Sequence, residues 1–265
     1  MINNKKIVVV MPAYNAEKTL EKTYNDLCQD VVDEIILIDD ASADNTKLLS
    51  KKLDITTVLH ADNQGYGANQ KSCYVAALNA NADIVIMLHP DYQYTPKLVP
   101  AIASMIAYGE YDIVIASRML TGSATKGGMP LYKVFANKFL TTFQNFFNGE
   151  HLSEYHTGFR GFTKEVLKNL PLEDFDNDFI FDNEFLTVSI YYNYKIGEIS
   201  CPTKYFPEAS SINFVRSCKY GLGVLKMSIL YFLAHTGIYK SKIFEKNAKK
   251  LDTNRELNYF HIRQK

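Results

Sequence analysis

Side chains able to bind a metal stand close together in the segment LHPDYQYTP at residues 88–96. Asp91 and Gln93 offer the oxygen ligands that Mg²⁺ or Mn²⁺ prefers, and His89 offers an imidazole nitrogen, which suits Mn²⁺ better than Mg²⁺. A metal held here would bridge the oxygens of a diphosphate and neutralise the charge that develops on a leaving group. Taken alone, the segment is better explained as a turn built on its Pro-Asp pair.

Two further polar segments have the composition of a nucleotide site. In IDDASADNT at residues 38–46, the carboxylates of Asp39 and Asp40 can accept hydrogen bonds from a ribose or a base edge. Helix capping explains the later residues of this segment better than it explains Asp40. In NQGYGANQK at residues 63–71, two glycines before a predicted helix permit close approach of the backbone to a phosphate, although a simple loop explains them about as well.

Candidates for acid–base and phosphate chemistry follow later in the chain. Asp182 and Glu184 fall in the first turn of a predicted helix. Either carboxylate could accept the proton of an acceptor hydroxyl, although the helix dipole alone explains acidic residues at this position. Arg118 and Arg160 carry guanidinium groups that bind phosphates bidentately, and the ordinary alternative for each is a surface salt bridge.

The elements that position these residues alternate in the first half of the chain. Apolar runs predict buried strands at residues 7–11, 34–38, 56–60, 83–88 and 112–116. Helices are predicted between them at residues 16–28, 46–53, 68–79 and 96–108. This βαβα order predicts an α/β fold with a mostly parallel central sheet flanked by helices. Ligands bind such sheets beyond the carboxyl ends of the strands, where the polar segments fall.

The second half is less regular and has no clean linker. A flexible loop is predicted at residues 121–129, and a turn with a short strand at 155–162. Helices are predicted at 132–147, 164–170, 182–192 and 217–236, and a strand at 195–199. We therefore predict one domain over residues 1–215, with a C-terminal helical extension over 216–265.

The composition is that of a packed globular protein, with 265 residues of which 47% are hydrophobic. Basic and acidic residues each number 29, so the net charge gives no global field for nucleic acid, and we expect no nucleic-acid partner. The basic tail at residues 240–250 is predicted to be a solvated helix face. Four cysteines without C-x-x-C spacing indicate free thiols in a reducing compartment.

The apolar stretch at residues 224–238 is too short to span a bilayer. We therefore expect a cytoplasmic protein, or one held peripherally at the inner face of the membrane. The amphipathic helix predicted at 217–236 is the candidate for membrane contact. Packing on the core, or on a second subunit of a homo-oligomer, would explain the same apolar face.

In combination and in this order, the motifs resemble the family 2 glycosyltransferases, which have the GT-A fold. Within that family the chain is similar to polyprenyl-phosphate sugar transferases of the dolichyl-phosphate mannose synthase type. VVVMPAYNAE at residues 8–17 resembles the family's start, and residues 38–46 resemble its "VDDGSxDGT" stretch. Residues 63–68 are similar to its "NxGxGxA" loop, and residues 88–96 to its "DADxQHPP" metal stretch. The resemblance spans roughly residues 5–215.

The resemblance implies inverting transfer of a sugar from a nucleotide-diphosphate sugar, with Mn²⁺ or Mg²⁺, to a hydroxyl or polyprenyl-phosphate acceptor. It implies metal contacts at Asp91, Gln93 and His89, and a catalytic base at Asp182 or Glu184. An acceptor or phosphate contact is implied at Arg160, within a segment similar to the family's "SGFR". The implied contacts to the donor nucleotide are Pro12, Tyr14, Glu17, Asp40, Gly67 and Arg118.

Three departures from the family pattern stand out. His89 occupies the position of the family's first metal-site Asp. Residues 209–212 read ASSI and lack the Lys of the family's "GxSK" segment, where a basic phosphate contact is usual. Residues 216–265 contain no transmembrane pair, a feature that follows the catalytic domain in relatives with a lipid-phosphate acceptor.

Two alternatives from other classes explain some of the same residues. A sugar-1-phosphate nucleotidyltransferase would use a similar sheet, but that class carries a Gly-rich loop with a basic residue where PAYN stands at residues 12–15. A non-catalytic module that binds sugar nucleotides would be consistent with His89 in the metal segment.

Overall fold

The computed structural model describes residues 1–205, 214–245 and 247–263 of the chain. These residues form an eight-stranded sheet in the order β7-β5-β6-β4-β1-β2-β3-β8. The strands are β1 (Ile7–Ala13), β2 (Glu34–Asp39), β3 (Thr56–Leu59), β4 (Ile84–Met87), β5 (Ile113–Ser117), β6 (Arg160–Thr163), β7 (Ile196–Ser200) and β8 (Tyr259–His261). Strand β6 is antiparallel to β4 and β5, and β8 is antiparallel to β3, while the other pairings are parallel. The predicted mostly parallel sheet is confirmed.

Helices cover both faces of this sheet. They are α1 (Leu20–Asn25), α2 (Thr46–Lys52), α3 (Tyr66–Asn79), α4 (Val99–Ala107), α5 (Ser123–Lys126), α6 (Leu131–Asn148), α7 (Lys164–Asn169), α8 (Phe181–Tyr191) and α9 (Phe214–His235). Val8 and Val10 of β1 point into one core with α3 and α8, whereas Ile7 and Val9 point into a second core with α4. Because β1 is buried on both faces, its sequence is a continuous apolar run.

Two predicted elements differ locally from the structure. The helix expected at residues 16–28 is shorter, because α1 begins only at Leu20. The backbone N–H of Ala16 donates to Thr46 Oγ1 at the start of α2, and that of Glu17 donates to Asp44 in the loop after β2. These contacts hold Ala16 and Glu17 outside the helix. The loop expected at residues 121–129 contains one short helix, α5, which starts after Gly122 at a positive φ of 66°.

The prediction of a solvated helix face in the basic tail is wrong. After α9 the described tail forms a 3-10 turn at Lys242–Phe244 and then β8, which pairs with β3 through Val58 and Tyr259. Without β8, strand β3 would be an edge strand with unpaired backbone N–H and C=O groups, and pairing with β8 provides partners for these groups. Only α9 supports the predicted helical extension, and the boundary at residue 215 stays a prediction. None of the helices in the described ranges is long and apolar enough to cross a membrane.

Candidate active site

The loops that follow β1 and β2 are joined by reciprocal hydrogen bonds. Asn15 donates its backbone N–H to Ser42 Oγ at 2.8 Å and accepts from the Ala43 N–H at 2.9 Å. Glu17 accepts from both the backbone N–H and the side-chain amide of Asn45, at 3.2 and 2.9 Å. Asn15 holds a left-handed conformation, with a φ of 53°. These contacts make the two loops one unit at the carboxyl edge of the sheet.

A cavity of about 650 Å³, here called the polar cavity, opens beside these loops. It lies beyond the carboxyl ends of β1, β2 and β4, where a doubly wound sheet binds ligands. Its wall includes Gly65, Asp178 and Arg216 in addition to predicted site residues. The predicted residues that line it are Pro12, Tyr14, Asp40, His89 and Asp91.

The carboxylate of Asp40 holds the loop at residues 63–67, here called the glycine loop, next to the polar cavity. It accepts the backbone N–H groups of Gln64 and Gly65 at 2.9 and 3.1 Å, and it lies 2.7 Å from His60 Nδ1. Gly65 has a φ of 97°, a conformation that favours glycine. A carboxylate offers about four acceptor positions, so these three contacts leave Asp40 able to accept one further donor.

A second cavity of about 720 Å³, here called the apolar cavity, lies between α6 and α9. Tyr132, Phe139 and Leu140 of α6 form one side, and Leu222 and Leu225 of α9 form the other. Its polar end contains Gln93, Arg118, His156 and Asp182. The two cavities meet at Tyr66, His89, Asp91 and Phe179, which line both. A ligand in one cavity therefore faces a ligand in the other across these four residues.

Tyr66 links His89 to Asp182 at this junction. Its ring stacks on the imidazole of His89, with centroids 5.4 Å apart and an angle of 3° between the planes. Its hydroxyl donates to Asp182 Oδ2 at 2.7 Å and lies 3.1 Å from His89 Nε2. Because the hydroxyl hydrogen is directed to Asp182, His89 Nε2 must be protonated and donate to the Tyr66 oxygen. Burial lowers the pKa of His89, which favours a neutral ring with its lone pair on Nδ1.

Asp182 and Glu184, the two predicted bases, occupy different surroundings. Asp182 lines the apolar cavity, and its Oδ1 accepts from Gln70 Nε2 at 2.9 Å. Glu184 Oε2 accepts the backbone N–H of Asp176 at 2.7 Å, and burial raises the pKa of Glu184 to about 7. A pKa near 7 suits a general base, but only Asp182 reaches a cavity.

The two predicted phosphate-binding arginines are both engaged by the protein. Arg118 lies at the apolar cavity and is paired with the fully buried carboxylate of Glu154. Arg160 is buried and donates to the carbonyl oxygens of Asp182 and Tyr155 at 2.9 and 3.2 Å. Arg160 therefore holds the backbone that carries Asp182.

Four predicted site residues line neither cavity within the described part of the chain, namely Glu17, Gly67, Arg160 and Glu184. Gly67 is explained by packing, because its N–H donates to Asn177 O at 2.8 Å. A Cβ at Gly67 would lie 2.5 Å from Asp176 O and 2.9 Å from Phe181 Cβ. The glycine at this position therefore allows the 176–177 backbone to approach α3.

The side chains near Asp91 fit a metal shared with a ligand rather than a closed protein cage. Among the described residues there is no cluster of three or more His, Cys, Asp or Glu side chains suited to a metal. Mg²⁺ and Mn²⁺ at nucleotide sites use one or two protein carboxylates together with phosphate oxygens and water. Asp91, with His89 beside it, meets that requirement, while the Gln93 backbone N–H donates to Asp91 Oδ1 at 3.0 Å and fixes the turn.

Sequence reasoning missed several residues at the two cavities. Tyr66 belongs to the predicted NQGYGANQK segment, but its position at the junction depends on stacking against His89, which no local pattern contains. Arg216 lines the polar cavity from the start of α9, with its guanidinium 5.8 Å from the ring centroid of Phe179. The segment at 209–212, noted for its missing Lys, lies outside the described residues.

Solved structures with a similar fold include glucosyl-3-phosphoglycerate synthase from Mycobacterium tuberculosis. In complex with UDP, it matches with a TM-score of 0.67 and 18% identity, over 90% of this chain and 83% of that chain. Its complex with Mn²⁺, UDP-glucose and phosphoglyceric acid matches with a TM-score of 0.63 and 18% identity, over 90% and 82% of the two chains. This likeness confirms the predicted GT-A fold.

Sequence comparison identifies a relative of similar length. The UDP-N-acetylglucosamine–dolichyl-phosphate N-acetylglucosaminyltransferase of Methanococcus voltae is 27% identical over 245 residues, 84% of this chain and 97% of that protein. Residues 8–170, more than half of the chain, match the family described as Glycosyl transferase family 2. This match favours a glycosyltransferase over the nucleotidyltransferase and the non-catalytic module, and the chain belongs to the family 2 glycosyltransferases.

Proposed function

We propose that this protein transfers a sugar, with inversion, from a nucleotide-diphosphate sugar to the phosphate of a polyprenyl lipid. The observation that carries the proposal is the meeting of a polar and an apolar cavity at Tyr66, His89 and Asp91. The nucleotide would occupy the polar cavity and the lipid the apolar cavity. The sugar carbon and the attacking phosphate would then face each other at the junction.

On the donor side, Asp40 supplies a fixed carboxylate for a base or ribose donor, and Pro12 and Tyr14 line the same cavity. Arg216 supplies a cation in the same cavity. A guanidinium binds phosphate oxygens bidentately, so Arg216 is suited to the diphosphate. It would provide the basic contact that the sequence lacks at residues 209–212.

A divalent metal is part of the proposal. Asp91 would hold it together with the donor diphosphate, with His89 as the second protein ligand candidate. When bound, the ion neutralises charge on the departing nucleoside diphosphate. The similar M. tuberculosis enzyme binds Mn²⁺ together with UDP-glucose, which supports the same use here.

On the acceptor side, the surface around the apolar cavity is suited to a lipid. Phe135 and Phe146 of α6 are 70% and 81% exposed, and Leu222 of α9 is 69% exposed. Neither α6 nor α9 contains Asp or Glu, whereas together they contain Lys133, Lys138, Arg216, Lys219 and Lys226. Apolar side chains flanked by cations bind an anionic lipid surface. The M. voltae relative is named for a dolichyl-phosphate acceptor, which supports the same class of acceptor.

A phosphate acceptor changes the role of Asp182. A phosphate monoester is ionised near pH 7, so its oxygen can attack the sugar carbon without first losing a proton to a base. The bond from that carbon to the diphosphate oxygen breaks, and the nucleoside diphosphate leaves with the electron pair. Asp182, whose two oxygens accept from Tyr66 and Gln70, is then a positioning residue rather than a base.

The test is the release of nucleoside diphosphate from a panel of UDP-, GDP- and dTDP-sugars, with Mn²⁺ and dolichyl phosphate. We expect one donor class to be used, and Asp91→Asn to lower kcat by about 100-fold or more. Asp62→Asn, an exposed Asp on a loop at the same sheet edge, is the matched control and retains activity. Wild-type turnover in Asp91→Asn would refute the metal assignment, and release of pyrophosphate would instead support a nucleotidyltransferase.

A further inference from the structure

A chain of hydrogen bonds runs from the C-terminal tail to the polar cavity. Arg255 Nη2 donates to Ser72 Oγ at 2.8 Å, and Ser72 Oγ lies 2.9 Å from His60 Nε2. His60 Nδ1 lies 2.7 Å from Asp40 Oδ1. Ser72 is fully buried, Asp40 is 3% exposed and the side chain of His60 is 6% exposed, whereas Arg255 is half-buried. Burial therefore strengthens the two inner contacts most. The side chains of Arg255, Ser72 and His60 therefore connect the C-terminal tail to the Asp40 carboxylate, which holds the glycine loop.

The direction of each hydrogen bond follows from the groups involved. A guanidinium can only donate, so Ser72 Oγ accepts from Arg255. In the tautomer of His60 that donates from Nδ1 to the Asp40 carboxylate, Nε2 has a lone pair and can accept from the Ser72 hydroxyl. His60 then carries its proton on Nδ1 and donates it to Asp40. In this arrangement every donor finds an acceptor, and the Asp40 carboxylate is the last acceptor of the series. Among these four hydrogen-bonded side chains, only Arg255 must act as a donor, because a guanidinium group has no acceptor.

The tail that carries Arg255 is anchored beside this chain of contacts. Leu59 of β3 donates its N–H to Asn258 O at 2.9 Å, and Arg263 donates its N–H to Thr56 Oγ1 at 3.2 Å. His60 directly follows β3, so the tail holds the strand that leads into His60. Arg255 and β8 thus act on His60 from two sides, through Ser72 and through the backbone of β3.

We propose that Arg255 is a positioning residue for the donor nucleotide, which it influences through Ser72, His60 and Asp40. With the chain of contacts intact, Asp40 holds Gln64 and the glycine loop in one arrangement and presents its remaining acceptor position to a nucleotide. This inference rests on the proposed function of the polar cavity as the nucleotide site. It assigns the C-terminal tail a part in donor binding, although the tail lines neither cavity in the described residues.

The binding test compares Arg255→Ala with Arg263→Ala, using calorimetry with UDP and with GDP. Arg263 is a matched control because it lies on the same tail and its side chain pairs with the exposed Asp54 rather than with Ser72, while its backbone N–H contact with Thr56 is kept in the Ala variant. For the nucleotide that the wild type binds, we expect Arg255→Ala to raise Kd by about 10-fold. Arg263→Ala should change Kd by less than about 2-fold. Equal Kd values for Arg255→Ala and wild type would overturn the proposal.

A double-mutant cycle separates this chain of contacts from general destabilisation. If Arg255 acts through Ser72, adding Ser72→Ala to Arg255→Ala raises Kd no further than the larger single effect. Additive effects would mean that Arg255 acts by another route and would overturn the proposal.

Hydrogen exchange of the Gln64 and Gly65 amides tests the same contacts without any nucleotide. We expect these amides to exchange faster in Arg255→Ala than in Arg263→Ala, with exchange in the central strand β1 unchanged. That result would support the positioning role of Arg255 even if the wild type bound neither UDP nor GDP. Failure of the wild type to bind either nucleotide would count against the proposed function but not against this role. Unchanged exchange at Gln64 and Gly65 would overturn the proposal.

Discussion

At the scale of single residues, the proposed site depends on three carboxylates, with Asp40 and Asp91 at the polar cavity and Asp182 at the apolar cavity. Asp40 and Asp91 were located from their places after predicted strands, because parallel strands bring their carboxyl ends to one edge. The partners of Asp182 were not predictable, since Tyr66 and Gln70 reach it from α3 across a sequence separation of more than 100 residues. The same holds for Arg160, whose hydrogen bond to the Asp182 carbonyl oxygen no local pattern contains, and its contact with an acceptor stays a prediction.

Glu184 gives a residue-scale prediction about pH. Burial raises its pKa from 4.5 to about 7. The hydrogen bond from the Asp176 backbone N–H opposes this shift, as do Lys71 and Lys226, while the negative charge of Asp176 adds to it. The folded protein therefore holds this proton more tightly than the unfolded chain. The resulting stabilisation is complete below pH 4.5 and is lost as the pH rises through about 7.

The substitution Glu184→Gln removes this titration and keeps a group that accepts from Asp176. Between pH 4.5 and 8, we expect the wild type to lose about 2 kcal/mol more unfolding free energy than the variant. Urea denaturation at several pH values measures this difference. Glu256→Gln, at an exposed position in the tail, is the control and should follow the wild type. Parallel pH profiles for wild type and Glu184→Gln would show that the pKa of Glu184 is not raised.

At the scale of elements, tertiary hydrogen bonds moved the boundaries that local signals predicted. Residues 16–19 have helical sequence, but the N–H of Ala16 donates to Thr46 Oγ1 at 2.8 Å and the chain turns before α1 begins. The periodicity of apolar residues indicates how a segment packs, but it does not reveal a hydrogen bond from a side chain that is distant in the sequence. The existence and order of the elements depend on longer apolar patterns, and these predictions were confirmed by the sheet and its helices.

Gly67 gives the element-scale prediction, because it sets how closely α3 approaches the loop before α8. We expect Gly67→Ala to lower the unfolding free energy by about 2 kcal/mol, since the new Cβ would overlap Asp176 O. Gly221→Ala in α9 is the matched control, because the nearest atom to its Cβ is 3.8 Å away. That control should be neutral or stabilising by up to about 1 kcal/mol. Chemical denaturation of both variants measures the effect, and equal stabilities would refute the packing role.

At the scale of the whole molecule, the α/β class and the carboxyl-edge site were predictable from the order of strands and helices. The path of the tail was not, because its charged residues resemble a solvated helix. Pairing of β8 with the edge strand β3 is a long-range contact between Val58 and Tyr259 that no local pattern contains. The apolar cavity was not predictable from local patterns either, because its walls come from two separate helices, α6 and α9, which meet only in the folded protein.

The proposal that the apolar cavity receives a lipid phosphate is tested most directly by comparing two acceptors that differ in one group. The protein, Mn²⁺ and a panel of UDP-, GDP- and dTDP-sugars are incubated with vesicles containing either dolichyl phosphate or dolichol. Nucleoside diphosphate and lipid-linked sugar are then both measured. We expect equimolar formation of the two products with dolichyl phosphate and only background release with dolichol. Equal transfer to dolichol, or nucleoside diphosphate release without lipid-linked sugar in either case, would contradict the proposed function.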